Sequence, residues 1–407
     1  MPSLPGFRDF YPADCAFRNA VFAAWRRVAQ RYGFVEYDGP PLEELNLYTK
    51  KSGAEIVGQL YNFRDKGERE IALRPEMTPT LARMVTARHK DYKKPMKWFA
   101  IPQLFRYERM QRGRLREHFQ LNCDIIGEQG LEADIEIIAL VIDLLRELGL
   151  GEKDFVVRVS DRQFWSDFLH KKFVPEEEYY GIFQAIDKIE RESEEKTREK
   201  LGDLATPILD ILKKGATSER LEYVMRGLAQ RGLGNFVKRD LTIVRGLAYY
   251  TGIVFEANDR AGALRAICGG GRYDQLLKSL GGVDLPAVGF GMGDVVLGEM
   301  LRDKKINPAR TNRLEVYVAV VDEKYRPQAM GILQKLRDAG FAADYPLAGT
   351  KLGKQLEAAE AAEAKYAVIV DAAIESGQVE IKELATRQQK KVAVAELEKL
   401  LVPARAK

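Results

Sequence analysis

The sequence predicts a larger mixed α+β part followed by a small parallel α/β unit, and three observations predict it. First, a β-hairpin is legible from Phe105 to Gly127: an extended run, a basic loop from Gln111 to Arg116, and a second run from His118. Second, strand-like alternation resumes near Leu241 and continues through Ala287 to Gly293. It does so after a stretch from Lys171 to about Arg231 that is rich in Glu, Lys and Arg, helical in spacing and without strand alternation. Third, beyond a charged segment, strand and helix patterns alternate from Leu314 to Val370, as in a parallel α/β unit. At 407 residues the chain is long for one domain, and its 46% hydrophobic share suffices for ordinary packed cores.

Each element has a local reason. From Asp14, read as a cap, to Tyr32 the apolar residues recur at helical spacing until Gly33 stops the run. Gly39-Pro40-Pro41 follows a short strand-like stretch, and prolines lacking an N–H suit a strand end. In the hairpin, Arg106 and Glu108 lie two apart and share one face of the first strand. That pair suits a nucleotide, with the guanidinium gripping a phosphate and the carboxylate accepting from an exocyclic amine; a solvated cross-strand pair is the alternative. Ile135, Ile138, Ala139, Ile142, Leu145 and Leu148 form one apolar helical stripe closed by Gly149. Asp303 to Arg313 reads as a linker, followed by a strand (Leu314 to Val321), two helices (Tyr325 to Ala339 and Lys351 to Ala364) and a strand (Tyr366 to Val370).

Composition excludes more than it selects. Lys+Arg 64 against Asp+Glu 60 leaves a formal charge of +4, compatible with nucleic acid but not demanding it. Cys15, Cys123 and Cys268 are scattered, odd in number and without a CxxC, which argues for a reducing compartment and against a disulfide framework or zinc knuckle. Only His89, His118 and His170 are present, so a metal site built on histidine is not expected. Met1 to Tyr11 has no apolar signal core, and the run Ile135 to Leu150 is interrupted by charges; the expectation is a cytoplasmic protein without a membrane partner.

Three segments carry a resemblance. Ile243 to Glu256, with Arg245-Gly246-Leu247-Ala248-Tyr249-Tyr250, resembles the first histidine-specific signature of histidyl-tRNA synthetases, with Ala248 where an aspartate is usual. Ala266 to Asp274, containing Cys268-Gly269-Gly270-Gly271-Arg272, resembles the second, and Leu73-Arg74-Pro75-Glu76-Met77-Thr78 the family's amino-acid-binding segment. The hairpin then resembles motif 2 of class II aminoacyl-tRNA synthetases, and Pro41 the proline of motif 1, which packs at a dimer interface.

The resemblance implies an α+β catalytic domain, a mainly antiparallel sheet flanked by helices, split as residues 1–170 and 232–302 around a helical insertion at 171–231. A linker at 303–313 and an α/β anticodon-binding domain at 314–407 complete the plan. The implied activity is ligation of L-histidine to the 3′ end of its tRNA through histidyl-adenylate, with ATP and Mg²⁺, in a homodimer that contacts the tRNA at its acceptor end and anticodon. Arg106 would hold the α-phosphate and the attacking carboxylate, Glu108 would read the adenine amine, and Arg245 would stabilise charge developing at the α-phosphate, a structural ion pair being its alternative. Glu76 and Thr78 suit the ammonium of histidine and Gln120 its backbone groups. Asp124, where a glutamate is common, suits an imidazole N–H, and Tyr249 and Tyr250 supply aromatic walls and a hydroxyl. The glycines at 269–271 allow a close approach or form a tight turn; Arg272 serves the substrate or the fold. No side chain is expected to bind metal.

One departure stands out. Val296 occupies the position where class II motif 3 usually carries an arginine, and Arg302 falls on another face of any helix starting there. Arg109, Arg112 or Arg114 could reach the outer phosphates instead, from a loop expected also to face the acceptor end of tRNA. The competing reading is a non-catalytic regulatory subunit of ATP phosphoribosyltransferase. Such subunits usually lack the anticodon domain and erode the signature arginine, whereas Arg245 and the segment after Leu314 are both present here.

Overall fold

The structure is a computed structural model that describes residues 2–52, 58–245, 249–309 and 314–401, the side chains of 50–52 excepted. Signature residues Gly246, Leu247 and Ala248, and part of the expected linker and C-terminus, lie outside the described residues. Two compact units divide the chain, Met1–Ala309 and Arg310–Lys407.

The first unit is built on a nine-stranded sheet, its strands running in the order Val35–Glu36, Met96–Ala100, Glu117–Ile126, Ala287–Gly293, Cys268–Arg272, Ile253–Asp259, Phe155–Asp161 and Val237–Arg239, with Gln103–Phe105 paired to Glu117–Ile126. All pairings are antiparallel except the two edge pairs, Val35–Glu36 with Met96–Ala100 and Phe155–Asp161 with Val237–Arg239. The long strand Glu117–Ile126 is partly exposed from His118 to Gln120 and buried from Leu121 to Ile126. Helix Glu132–Glu147 buries Ile135, Ile138, Ala139, Ile142 and Leu145 against the sheet and against helix Pro12–Arg31, and Gly149 takes φ +86° just beyond its end. A small three-stranded sheet of Leu42–Glu44, Glu70–Leu73 and Asn62–Arg64 stands beside the large one. Between 162 and 230 the described chain is helical throughout, in the segments Arg162–Lys171, Tyr179–Asp187, Glu194–Leu201, Ala205–Lys214 and Glu219–Gln230, joined by turns and short 3₁₀ segments.

Three readings change. The first helix starts at Pro12 rather than being capped by Asp14: proline fits the first turn without an N–H to satisfy, and Asp14 sits in that turn, where the helix dipole favours a carboxylate. The first hairpin strand ends at Phe105, so Arg106 and Glu108 are not strand residues. Arg106 N–H still bonds to Arg116 C=O at 2.8 Å, but Tyr107 N–H turns away to Gln59 C=O at 2.9 Å and the ladder stops. In the second unit, Val316–Val320 and Tyr366–Val370 are parallel as expected and Ala343–Asp344 is a further parallel strand that was not, while Gln378–Glu383 and Gln389–Ala393 add an antiparallel hairpin that makes the sheet mixed. Val316, Val318 and Val320 pack on one face and Tyr317 and Ala319 on the other, which is why this strand reads as an unbroken apolar run.

Candidate active site

The floor of the site is made of glycines on two adjacent strands, and each glycine makes room for a particular side chain. A Cβ at Gly269 would collide with the Arg245 guanidinium, one at Gly289 with the Asp124 carboxylate, and one at Gly291 would lie 2.7 Å from Gln120 Cδ. Because Ala287–Gly293 is hydrogen-bonded between Cys268–Arg272 and Glu117–Ile126, neither backbone can retreat to relieve such a contact.

Above this floor lie two adjoining cavities. The inner one, of about 350 Å³, is lined by Glu76, Thr78, Gln120, Asp124, Tyr249, Tyr250 and Tyr273, with Arg106 and Arg245 at its border. The outer one, about 1280 Å³, is lined by Glu108, Arg112, Arg114, His118, Arg265 and Val296 among others, and shares Arg106, Gln120 and Arg245 with the inner. The two arginines expected to flank one cleft therefore stand where the cavities meet.

Arg106 Nε donates to Pro75 C=O at 2.8 Å, which ties the hairpin to the segment bearing Glu76. That segment is anchored by Arg74, buried to 5% exposure, which donates to Gly39 C=O at 2.7 Å and Gln103 C=O at 3.0 Å. Thr78 opens the helix Thr78–Arg88. Arg245 is ion-paired with Glu256 on strand Ile253–Asp259 while its Nε remains buried without a partner among the described residues. Burial alone would lower its pKa, but Glu256 and the neighbouring tyrosines carry it above the ordinary value. Its backbone adopts φ +58°, a region costly for a side-chain-bearing residue. The Asp187 carboxylate accepts from its N–H and Arg162 Nη1 lies 3.4 Å from its C=O, so the turn is held from both sides. Asp187 belongs to helix Tyr179–Asp187, within the stretch expected as an insertion.

Asp124 accepts a hydrogen bond from the Tyr273 hydroxyl. Burial raises the Asp124 pKa to about 7, against the opposing effect of that hydrogen bond. Tyr249 lies against Tyr250, ring centroids 4.7 Å apart, and edge-on to Tyr273 at 5.9 Å. His118 is driven down to about 3 by burial and by Arg106, Arg8 and Arg114, so it is neutral near pH 7.

Other expected residues are otherwise occupied. Glu108 is ion-paired with Arg114, and Arg112 reaches Glu299 at 3.2 Å and Asp303 at 3.0 Å. Arg109 is exposed and does not line either cavity. Arg272 serves the fold: it is 2% exposed, ion-paired with buried Asp134, and donates to Glu128 C=O and Gly130 C=O. Val296 is buried in helix Asp294–Asp303, and Arg302 covers the Phe17 ring at 5.1 Å, away from the cavity lining.

Two contributors were not foreseen. Arg8 bridges Glu117 at 2.6 Å and Asp294 at 2.9 Å, and Asp294 also accepts from Phe119 N–H at 2.8 Å. The aspartate after Gly293 thus fastens the helix start to the central strand. Arg265 sits on the connection between Ile253–Asp259 and Cys268–Arg272; its sequence signal was a basic residue just before the second signature, whereas Arg8 adjoined no motif.

An antiparallel sheet that joins an amino-acid-sized pocket to a cation-lined groove, with an α/β unit following, defines an aminoacyl-tRNA ligase of class II. The comparisons are specific: residues 6–293 match the family model described as histidyl-tRNA synthetase, and residues 315–403 that of the anticodon binding domain. The chain belongs to the histidyl-tRNA synthetase family. It is 45% identical to a histidine–tRNA ligase of Opitutus terrae over 95% of this chain and 94% of that one. It is 39% identical to the chloroplastic/mitochondrial histidine–tRNA ligase of Arabidopsis thaliana over 97% of this chain and 85% of that one. The fold matches the crystal structure of histidyl-tRNA synthetase from Nostoc sp. PCC 7120 with TM-score 0.82 at 24% identity, covering 98% of both chains. No helix among the described residues is long and apolar enough to cross a membrane.

Proposed function

We propose that the chain activates L-histidine with ATP and transfers it to the 3′ end of the histidine tRNA. A carboxylate attacking the α-phosphate brings two anions together, so cations and fixed geometry must supply the rate. In this reading the histidine carboxylate oxygen bonds to the α-phosphorus and pyrophosphate leaves; the terminal tRNA hydroxyl then attacks the acyl carbon and AMP leaves. Arg106 and Arg245 neutralise the charge at phosphorus, Glu76 and Thr78 hold the ammonium, Gln120 orients the backbone groups, and Asp124 accepts from the imidazole. Tyr249 and Tyr250 wall the pocket. Glu108 reads adenine after exchanging its bond to Arg114 for the base, and Arg114 turns to the phosphates. Mg²⁺ enters with ATP as part of the substrate, chelated by phosphate oxygens.

The observation that carries the reading is that Arg106 and Arg245 border both the inner and outer cavities. The homodimer rests on the motif 1 resemblance at Pro41, and a cytoplasmic location on the free thiols of Cys15, Cys123 and Cys268. Histidine-dependent exchange of pyrophosphate into ATP, followed by charging of histidine tRNA, is the test. Folded protein that exchanges no pyrophosphate would favour the regulatory subunit instead.

A further inference from the structure

We propose that Arg265 is a binding residue for the outer phosphates of ATP, taking the place left without a cation at Val296. This rests on the ligase reading and adds to it a residue that neither signature supplies.

The outer cavity gathers the side chains of Arg106, Arg114 and Arg265. Arg114 is held below its ordinary pKa first by burial and then by the charges of Arg265 and Arg106, so both of those guanidinium groups lie close enough to act on it. Of the carboxylates lining this cavity, Glu108 is engaged by Arg114, Glu256 by Arg245 and Asp187 by the Arg245 N–H, and Arg106 is turned to a backbone carbonyl. Arg265 is exposed and has no ion-pair or hydrogen-bond partner among the described residues. Like charges gathered with too few carboxylates form a site for a multiply charged anion, which relieves their repulsion on binding.

Geometry places this charge next to Val296. Gly113, at φ +74° in the basic loop, is flanked by both: a Cβ built there would lie 3.1 Å from Val296 Cγ2 and 3.7 Å from Arg265 Cδ. The helix side of this corner is thus closed by a methyl group, while the strand connection brings the stem of Arg265 to the same glycine and its charge to the cavity. When the α-phosphorus bonds to the histidine carboxylate, the bond to the bridging oxygen breaks and pyrophosphate departs with the electron pair. A cation at the outer phosphates steadies both bound ATP and that leaving group.

The test is histidine-dependent pyrophosphate exchange by the full chain. Arg265→Ala should raise KM for ATP about tenfold, the loss of one charge-assisted contact, while KM for histidine stays unchanged. Arg265→Lys should fall between, and Val296→Arg added to Arg265→Ala should recover part of the ATP affinity. An ATP KM within twofold of the parent in Arg265→Ala overturns the proposal. Should the parent chain exchange no pyrophosphate, the ligase reading fails separately. The ATP-induced rise in thermal unfolding temperature, compared between parent and Arg265→Gln, then decides the anion site: a smaller rise in the variant supports it and an equal rise overturns it.

Discussion

Asp124 lies on the central strand among tyrosines, where burial raises its pKa to about 7. A carboxyl with a raised pKa prefers its neutral form in the fold, so its contribution to stability is complete below about 3.8 and is lost as pH climbs through about 7. Asp124→Asn keeps an oxygen for the Tyr273 hydroxyl and removes the charge. At pH 8 it is expected to raise the unfolding free energy of the unliganded protein, with about 4 kcal/mol as the ceiling, and the gain should vanish toward pH 4. If Asp124 receives the imidazole N–H as proposed, the same variant should activate histidine poorly, because an amide cannot offer a carboxylate to it. Denaturant unfolding at several pH values, paired with pyrophosphate exchange, checks both halves. If the stability gain were the same at pH 4 and pH 8, ionisation of Asp124 would not be its source.

At the scale of elements, the start of helix Asp294–Asp303 is fixed by the Arg8–Asp294 pair and by the bond from Phe119 N–H. Asp294→Ala leaves Arg8 with Glu117 alone and strands the Phe119 amide. The expected destabilisation is about 2–3 kcal/mol, below the range for fully buried pairs because Arg8 is partly exposed; Asp294→Asn should recover part of it. Thermal or denaturant unfolding reads the loss. This interaction was invisible in the sequence, since Arg8 and Asp294 are 286 positions apart and each reads locally as an ordinary charged residue. Legibility followed locality elsewhere. The helix at 132–147 was readable from its stripe and Gly149, whereas the end of the first hairpin strand was not, because it depends on where Gln59 offers a carbonyl to Tyr107. The hairpin Gln378–Ala393 escaped notice for a related reason: its second strand exposes Gln389, Lys390 and Lys391 and buries only Val392, so apolar alternation is weak. The polar residues lining the inner cavity, Gln59 excepted, lie in motifs carried by resemblance, while the steric role of Gly269, Gly289 and Gly291 depends on strand pairing between distant segments.

At the scale of the molecule, each unit has its own apolar core, the second built on Val316, Val318, Val320, Val368 and Val370. Residues 1–309 alone are therefore expected to fold and to retain histidine-dependent pyrophosphate exchange, while charging of histidine tRNA falls steeply. Base stacking on a protein surface contributes on the order of 1–3 kcal/mol per base, so losing the anticodon-binding unit removes contacts that the catalytic unit cannot replace. Exchange and aminoacylation assays on the truncated chain measure this; equal loss of both would mean that the units do not function separately. The meeting of the inner and outer cavities at Arg106 and Arg245 has a pharmacological corollary. A single compound that fuses a histidine-like head to a nucleoside through a linkage resistant to cleavage would occupy both compartments at once. Anchoring of either end would raise the local concentration of the other, so such a conjugate should inhibit far more strongly than its separated halves mixed in solution.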